Sequence, residues 1–92
     1  MKTDNATNQR IGTLLAEART ALDAVLKQQR DTGEFKEEDR MMLIMMLGQV
    51  TGFFDALRTV GYTQIPSDLT EQRATIQEDT RDVRYVSWRP KP

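Results

Sequence analysis

Met41-Met42-Leu43-Ile44-Met45-Met46-Leu47 is an unbroken run of seven apolar residues. In a helix it makes about two turns that are apolar on every side. Whatever the chain folds into must shelter those turns all round. A 92-residue chain builds one modest core and has few ways of doing so. The run is also far short of the roughly 20 residues that span a bilayer, so the expectation is a core segment of a helical protein and no membrane.

The stretch before the run reads as a long amphipathic helix. Ile11, Leu14, Leu15, Ala18, Ala21, Leu22, Val25 and Leu26 recur at the three-to-four spacing that puts them on one stripe. Asp4, Asn5 and Thr7 are all acceptable N-caps, and Gly33 suits the left-handed position that ends a helix. Phe35 is placed to staple the chain onto the next helix.

That second helix is expected from about Lys36 to Val60, with Glu37, Glu38 and Asp39 favoured at its start by the macrodipole. Gly61 then ends it, and Tyr62 can fold back towards Leu57. Two overlapping stripes run along it. One holds Leu43, Met46, Leu47, Val50, Phe54 and Leu57; the other holds Met42, Met46, Gln49, Phe53, Ala56 and Val60. Overlapping stripes mark a helix with neighbours on two sides.

Pro66 lies in the next connection, and Ser67 is a natural N-cap for a third segment reaching about Arg81. Its apolar stripe is thin: Leu69, Ile76 and Val83, with Ala74. Such a helix docks lightly. Residues 1–82 therefore form a single helical domain, and 83–92 an extended basic and aromatic tail, since each residue before Pro90 and Pro92 avoids the helical region.

The fold class expected is all-α: a long antiparallel helical hairpin, a short third helix and an extended tail. A lone hairpin leaves the methionine-rich turns uncovered and the third helix is too thin to finish the work. A homodimer with a four-helix-bundle-like core is the arrangement that does; the alternative is that the methionines form a groove for a different protein. The dimer's core and interface would come from Met41, Met42, Leu43, Met45, Met46 and Leu47, continued by Val50, Phe53, Phe54 and Leu57.

Chemistry is restricted by what the chain lacks. It contains no cysteine and no histidine, which removes the thiol nucleophile, thiolate metal ligands and the usual neutral-pH base. Asp55, three residues before Arg58, reads as half of a surface ion pair. Glu37-Glu38-Asp39 point to different sides of a helix and do not converge on a metal. No phosphate-cradling or metal-binding motif is present. The chain reads as non-enzymatic, with no cofactor, no metal and no evident small-molecule substrate.

The tail is the strongest surface feature. From residue 84 onward it carries Arg84, Arg89 and Lys91 and no acid, interleaved with Tyr85 and Trp88, and Arg81 precedes it. Arginine with tryptophan and tyrosine anchors protein interfaces; the same set suits single-stranded nucleic acid, and a third reading is internal, with Val86 and Trp88 pinning the tail onto the bundle or the other subunit. A formal charge of -1 is not that of a chain gripping phosphate over its whole surface. The function expected is a protein–protein interaction module: an adaptor, assembly subunit or stoichiometric regulator of a larger complex, of the kind phages and plasmids use. A nucleic-acid accessory factor acting through the tail is the alternative. Residues 1–10 show no apolar leader, so the expected location is cytoplasmic. If the run is enclosed, Met45→Lys or Leu47→Lys should unfold or dissociate the protein, because an unpaired charge would be buried; circular dichroism with light scattering checks both.

Overall fold

The computed structural model describes residues 1–83. Three helices, α1 (Asn5–Thr32), α2 (Glu37–Val60) and α3 (Ser67–Thr80), account for most of them, and among the described residues there is no strand. The all-α expectation is met. At about 1.5 Å per residue, α1 alone is roughly 42 Å long, which is why the molecule is elongated, 50 × 23 × 19 Å.

Each helix end is explained by its local chemistry. Of the three candidate N-caps, Asp4 takes the position: its backbone is extended and its carboxylate accepts the Thr7 N–H at 2.7 Å. Hydrogen bonding from Thr7, side chain first and backbone next, holds that carboxyl below the usual carboxylate range. Gly33 closes α1 at φ 78°, donating its N–H to the Gln29 carbonyl at 2.8 Å. Gly61 closes α2 at φ 109°. There the Gly61 N–H reaches the Arg58 carbonyl at 3.1 Å and the Tyr62 N–H reaches that of Leu57 at 2.9 Å, the paired bonds of a Schellman ending.

Two starts fall one residue from the sequence expectation. Lys36 caps α2 without a side-chain hydrogen bond, so Glu37 is its first residue. Ser67 lies inside α3, with Pro66 in the capping position; proline's fixed φ and the Pro66 carbonyl, which accepts the Leu69 N–H at 3.1 Å, start the helix one residue early. The third helix ends at Thr80, one residue before Arg81.

α1 is the axis of the molecule, in contact with both α2 and α3. Its stripe of Ile11, Leu14, Leu15, Ala18, Leu22 and Val25 is buried throughout. Against it lie Leu43, Val50, Phe54 and Leu57 of α2 and Leu69 and Ile76 of α3. Val83, just past α3, is also buried in this core, so the core continues one residue beyond 82.

Polar clasps secure the ends. At one end Gln28 reaches across the α1–α2 turn, donating through Nε2 to Asp39 and accepting the Lys36 N–H at 3.0 Å. At the other, residues 1–3 lie beside the connection after α2: the Thr63 N–H donates to the Met1 carbonyl at 2.9 Å, and the Thr3 N–H to that of Gln64 at 3.2 Å. α3 is tied to α1 by Arg19, whose guanidinium meets Asp79 at 2.6 Å and Asp23 at 2.8 Å. Those bonds raise the Arg19 pKa, Asp79 contributing first. Buried Gln29 donates through Nε2 to the Asp82 carbonyl at 2.8 Å and holds the chain leaving α3.

Leu22 is fully enclosed and Met41 is 55% exposed. Leu22→Ala should therefore cost about 2–5 kcal/mol, whereas Met41→Ala should stay within about 0.5 kcal/mol in a single chain; urea unfolding reads both. The lowered Asp4 pKa makes the cap's contribution fully present above the ordinary carboxylate range and lost as pH falls through the folded-state value. Asp4→Asn keeps an acceptor but cannot titrate, so the acid limb of its melting-temperature profile should be shallower than that of the parent chain.

Candidate functional site

The two sides of the methionine-rich run meet different surroundings. Leu43 is buried against α1, and Met46 and Leu47 are partly buried beside the core. Met41, Met42, Ile44 and Met45 are between 45 and 55% exposed. Helical geometry accounts for the division: Leu43, Val50, Phe54 and Leu57 follow one inward line, and residues one or two positions away point outwards. A charge placed at Met45 would therefore reach solvent in a lone chain, while one at Leu47 would be half enclosed.

The exposed apolar side chains continue into a surface without bulk. Gly48 and Gly52 follow Ile44 at four-residue spacing, and a Cβ built on either would meet nothing within 4 Å. Val60 closes the helix at 67% exposed. Beside this face, α1 and α2 enclose a shallow groove of about 490 Å³, floored by Ala16, Thr20, Ala21 and Ala24 of α1 and walled by Met42 and Met46. Glu17 and Asp39 supply its charges. Small residues on one helix and flexible thioethers on the other make an apolar surface that can adapt to what lies on it.

Of the residues assigned to the dimer or core, Leu43, Val50, Phe54 and Leu57 are buried; Met46, Leu47 and Phe53 are half-buried; Met41, Met42 and Met45 are open. Of the tail residues, Arg81 is exposed, and Arg84, Tyr85, Trp88, Arg89 and Lys91 lie outside the described residues. The groove's α1 floor and the glycine pair were missed in the sequence reading. Their signal is the recurrence of small residues at four-residue spacing: Ala16, Thr20 and Ala24, then Gly48 and Gly52.

By length and composition α2 is long and apolar enough to cross a membrane, although 22% of its most apolar stretch is buried inside this fold. Packing on α1 accounts for its inward line only. Met46, Leu47 and Phe53 are partly covered beside that line, and Met41, Met42, Ile44, Met45 and Val60 are exposed.

The acids singled out from the sequence do not converge on one point. Asp55 is exposed and makes no ion pair with Arg58; its backbone carbonyl accepts the Thr59 hydroxyl at 2.9 Å. This differs from the surface pair expected from their spacing. At the start of α2, Glu37 is paired with Arg40, whose guanidinium holds the Glu37 carboxyl below its ordinary range. Asp39 turns to Gln28 and Glu38 stays exposed. Among the described residues no three acids lie close enough to hold a metal ion. The chain matches no protein-family model, no curated protein and no solved structure.

Proposed function

We propose that this chain is a non-enzymatic protein–protein interaction module that pairs with a second copy of itself through the open side of α2. The observation that supports it is the cluster of Met41, Met42, Ile44 and Met45, about half exposed on a helix whose other side is a well-made core. Contiguous exposed apolar side chains of this size are a feature of contact surfaces, whereas scattered ones need no explanation.

On this reading α1 and α2 form an antiparallel hairpin, and two hairpins come together with α2 and the α1–α2 groove facing inward. Four long helices then surround the methionines, as in a four-helix bundle. Gly48 and Gly52 let the partner's helix come close, since no side chain stands between the backbones. α3 stays on the outside of each protomer, where its two buried side chains, Leu69 and Ile76, hold it to α1. The pair would then serve a larger protein assembly as an adaptor, assembly subunit or stoichiometric regulator in the cytoplasm, leaving the basic and aromatic residues after Arg81 as a second contact region.

Light scattering across a concentration series tests the pairing. The parent chain should scatter as twice its 10.6 kDa mass, and Ile44→Glu should give a monomer of unchanged helicity. A parent chain that stays monomeric at high concentration overturns the reading, as does an Ile44→Glu variant that still pairs.

A further inference from the structure

A second concavity, chemically unlike the first, lies at the end of the molecule remote from the α1–α2 turn. There the last turns of α2, the connection after Gly61 and the side of α3 enclose a cleft of about 580 Å³, a size ordinary for small-ligand sites. Phe54, Tyr62 and Ile65 give it apolar walls, and Arg58 and Arg73 give it two cations. No carboxylate lines it. In a chain with a formal charge of -1, this is a local concentration of uncompensated positive charge.

Neither arginine is neutralised elsewhere. The ion pairs among the described residues use Arg19, Arg30 and Arg40, so Arg58 and Arg73 have no acidic partner there. The Arg73 guanidinium lies 4.4 Å over the centroid of the Phe54 ring. That contact fixes its plane but supplies no acceptor, and the Arg73 Nε is shut off from water without a hydrogen-bond partner. An unsatisfied buried donor is costly and uncommon in folded proteins; because this Nε is closed to solvent, contacts to an anion in the cleft would come from the terminal nitrogens of the same guanidinium. Two like charges on one cleft also repel, and an anion between them removes that repulsion.

We propose that this cleft is an oxyanion site that takes a phosphate monoester, with the phosphate between Arg58 and Arg73 and the organic body against Tyr62 and Ile65. Charge matching selects the class: a phosphate monoester carries about -1.5 to -2 near neutral pH, enough for both cations, whereas a carboxylate answers only one. The planar guanidinium fork suits phosphate oxygens in a bidentate manner. Arg73 is already ordered by Phe54, so little side-chain freedom is lost on binding. The Gln77 amide and the Tyr62 hydroxyl border the same space and can donate. The Thr70 hydroxyl is committed to the Ser67 carbonyl at 2.9 Å and is not counted among the donors. The site is independent of pairing through α2.

The test is a nuclear magnetic resonance titration of the full chain at constant low ionic strength, using inorganic phosphate and phenyl phosphate as probes and benzyl alcohol as the uncharged control. Saturable amide shifts confined to the last turns of α2, the following connection and the facing turns of α3 are expected with phenyl phosphate. Inorganic phosphate should act at the same place more weakly, and benzyl alcohol not at all. Arg58→Gln should weaken phenyl phosphate about tenfold, as expected for loss of one charge-assisted contact, with helicity unchanged. Arg73→Lys keeps a cation over Phe54 but removes the fork, and should weaken binding while preserving the melting temperature. Shifts that grow linearly or spread over every basic side chain would overturn the site, and so would wild-type affinity in Arg58→Gln. Equal affinity for the two phosphates would overturn the ester and leave a site for the free ion.

Discussion

The continuous apolar stripe of α1 carries the molecule, because α2 and α3 are held principally by what they bury against it. Ile11, Ala18, Leu22 and Val25 are fully enclosed, with Leu14 and Leu15 nearly so. Burial on that scale is the main favourable term in a domain this small. The two partners use it unequally. α2 lays four core side chains on it, and α3 two. The ion pair from Arg19 to Asp79 is about one-third exposed on both sides, so it orients α3 more than it stabilises it.

That inequality has a consequence for α2. It is the most apolar helix, yet α1 can cover only one side of it and α3 covers little more. The inward line of Leu43, Val50, Phe54 and Leu57 is buried, whereas the outward line of Met41, Ile44 and Met45 is about half exposed among the described residues. Methionine is well suited to such a position because its flexible, polarizable side chain fits varied contacting surfaces. The polar clasps keep the framework under this face in register. Gln28 binds both sides of one turn, and the Met1–Thr3 backbone bonds the connection at the far end.

The two ends of the molecule differ in character for the same reason. Near the α1–α2 turn the exposed surface is apolar beside acids that sit on α2's first turn. At the far end Arg58 and Arg73 line a common cleft. Arg73 belongs to both regimes: its guanidinium covers Phe54, a core ring, while it lines the open space. An exposed apolar face and a cationic cleft thus lie at separate places on one framework, and a change in one need not disturb the other.

By itself the sequence determined the number of helices, their ends to within about a residue except at the start of α1, and the inward stripe of α1. These follow from short-range rules: three-to-four spacing, left-handed glycines at Gly33 and Gly61, and acids on α2's first turn. Position 41 could not be told from position 43 by composition, since both belong to the same apolar run; only the direction of α2 against α1 decided which faces out. The presence of Arg58 and Arg73 on one cleft, the missing bond between Asp55 and Arg58, and the burial of Val83 were likewise decided by tertiary structure. Each depends on how residues distant in the chain are brought together, and no local periodicity encodes that.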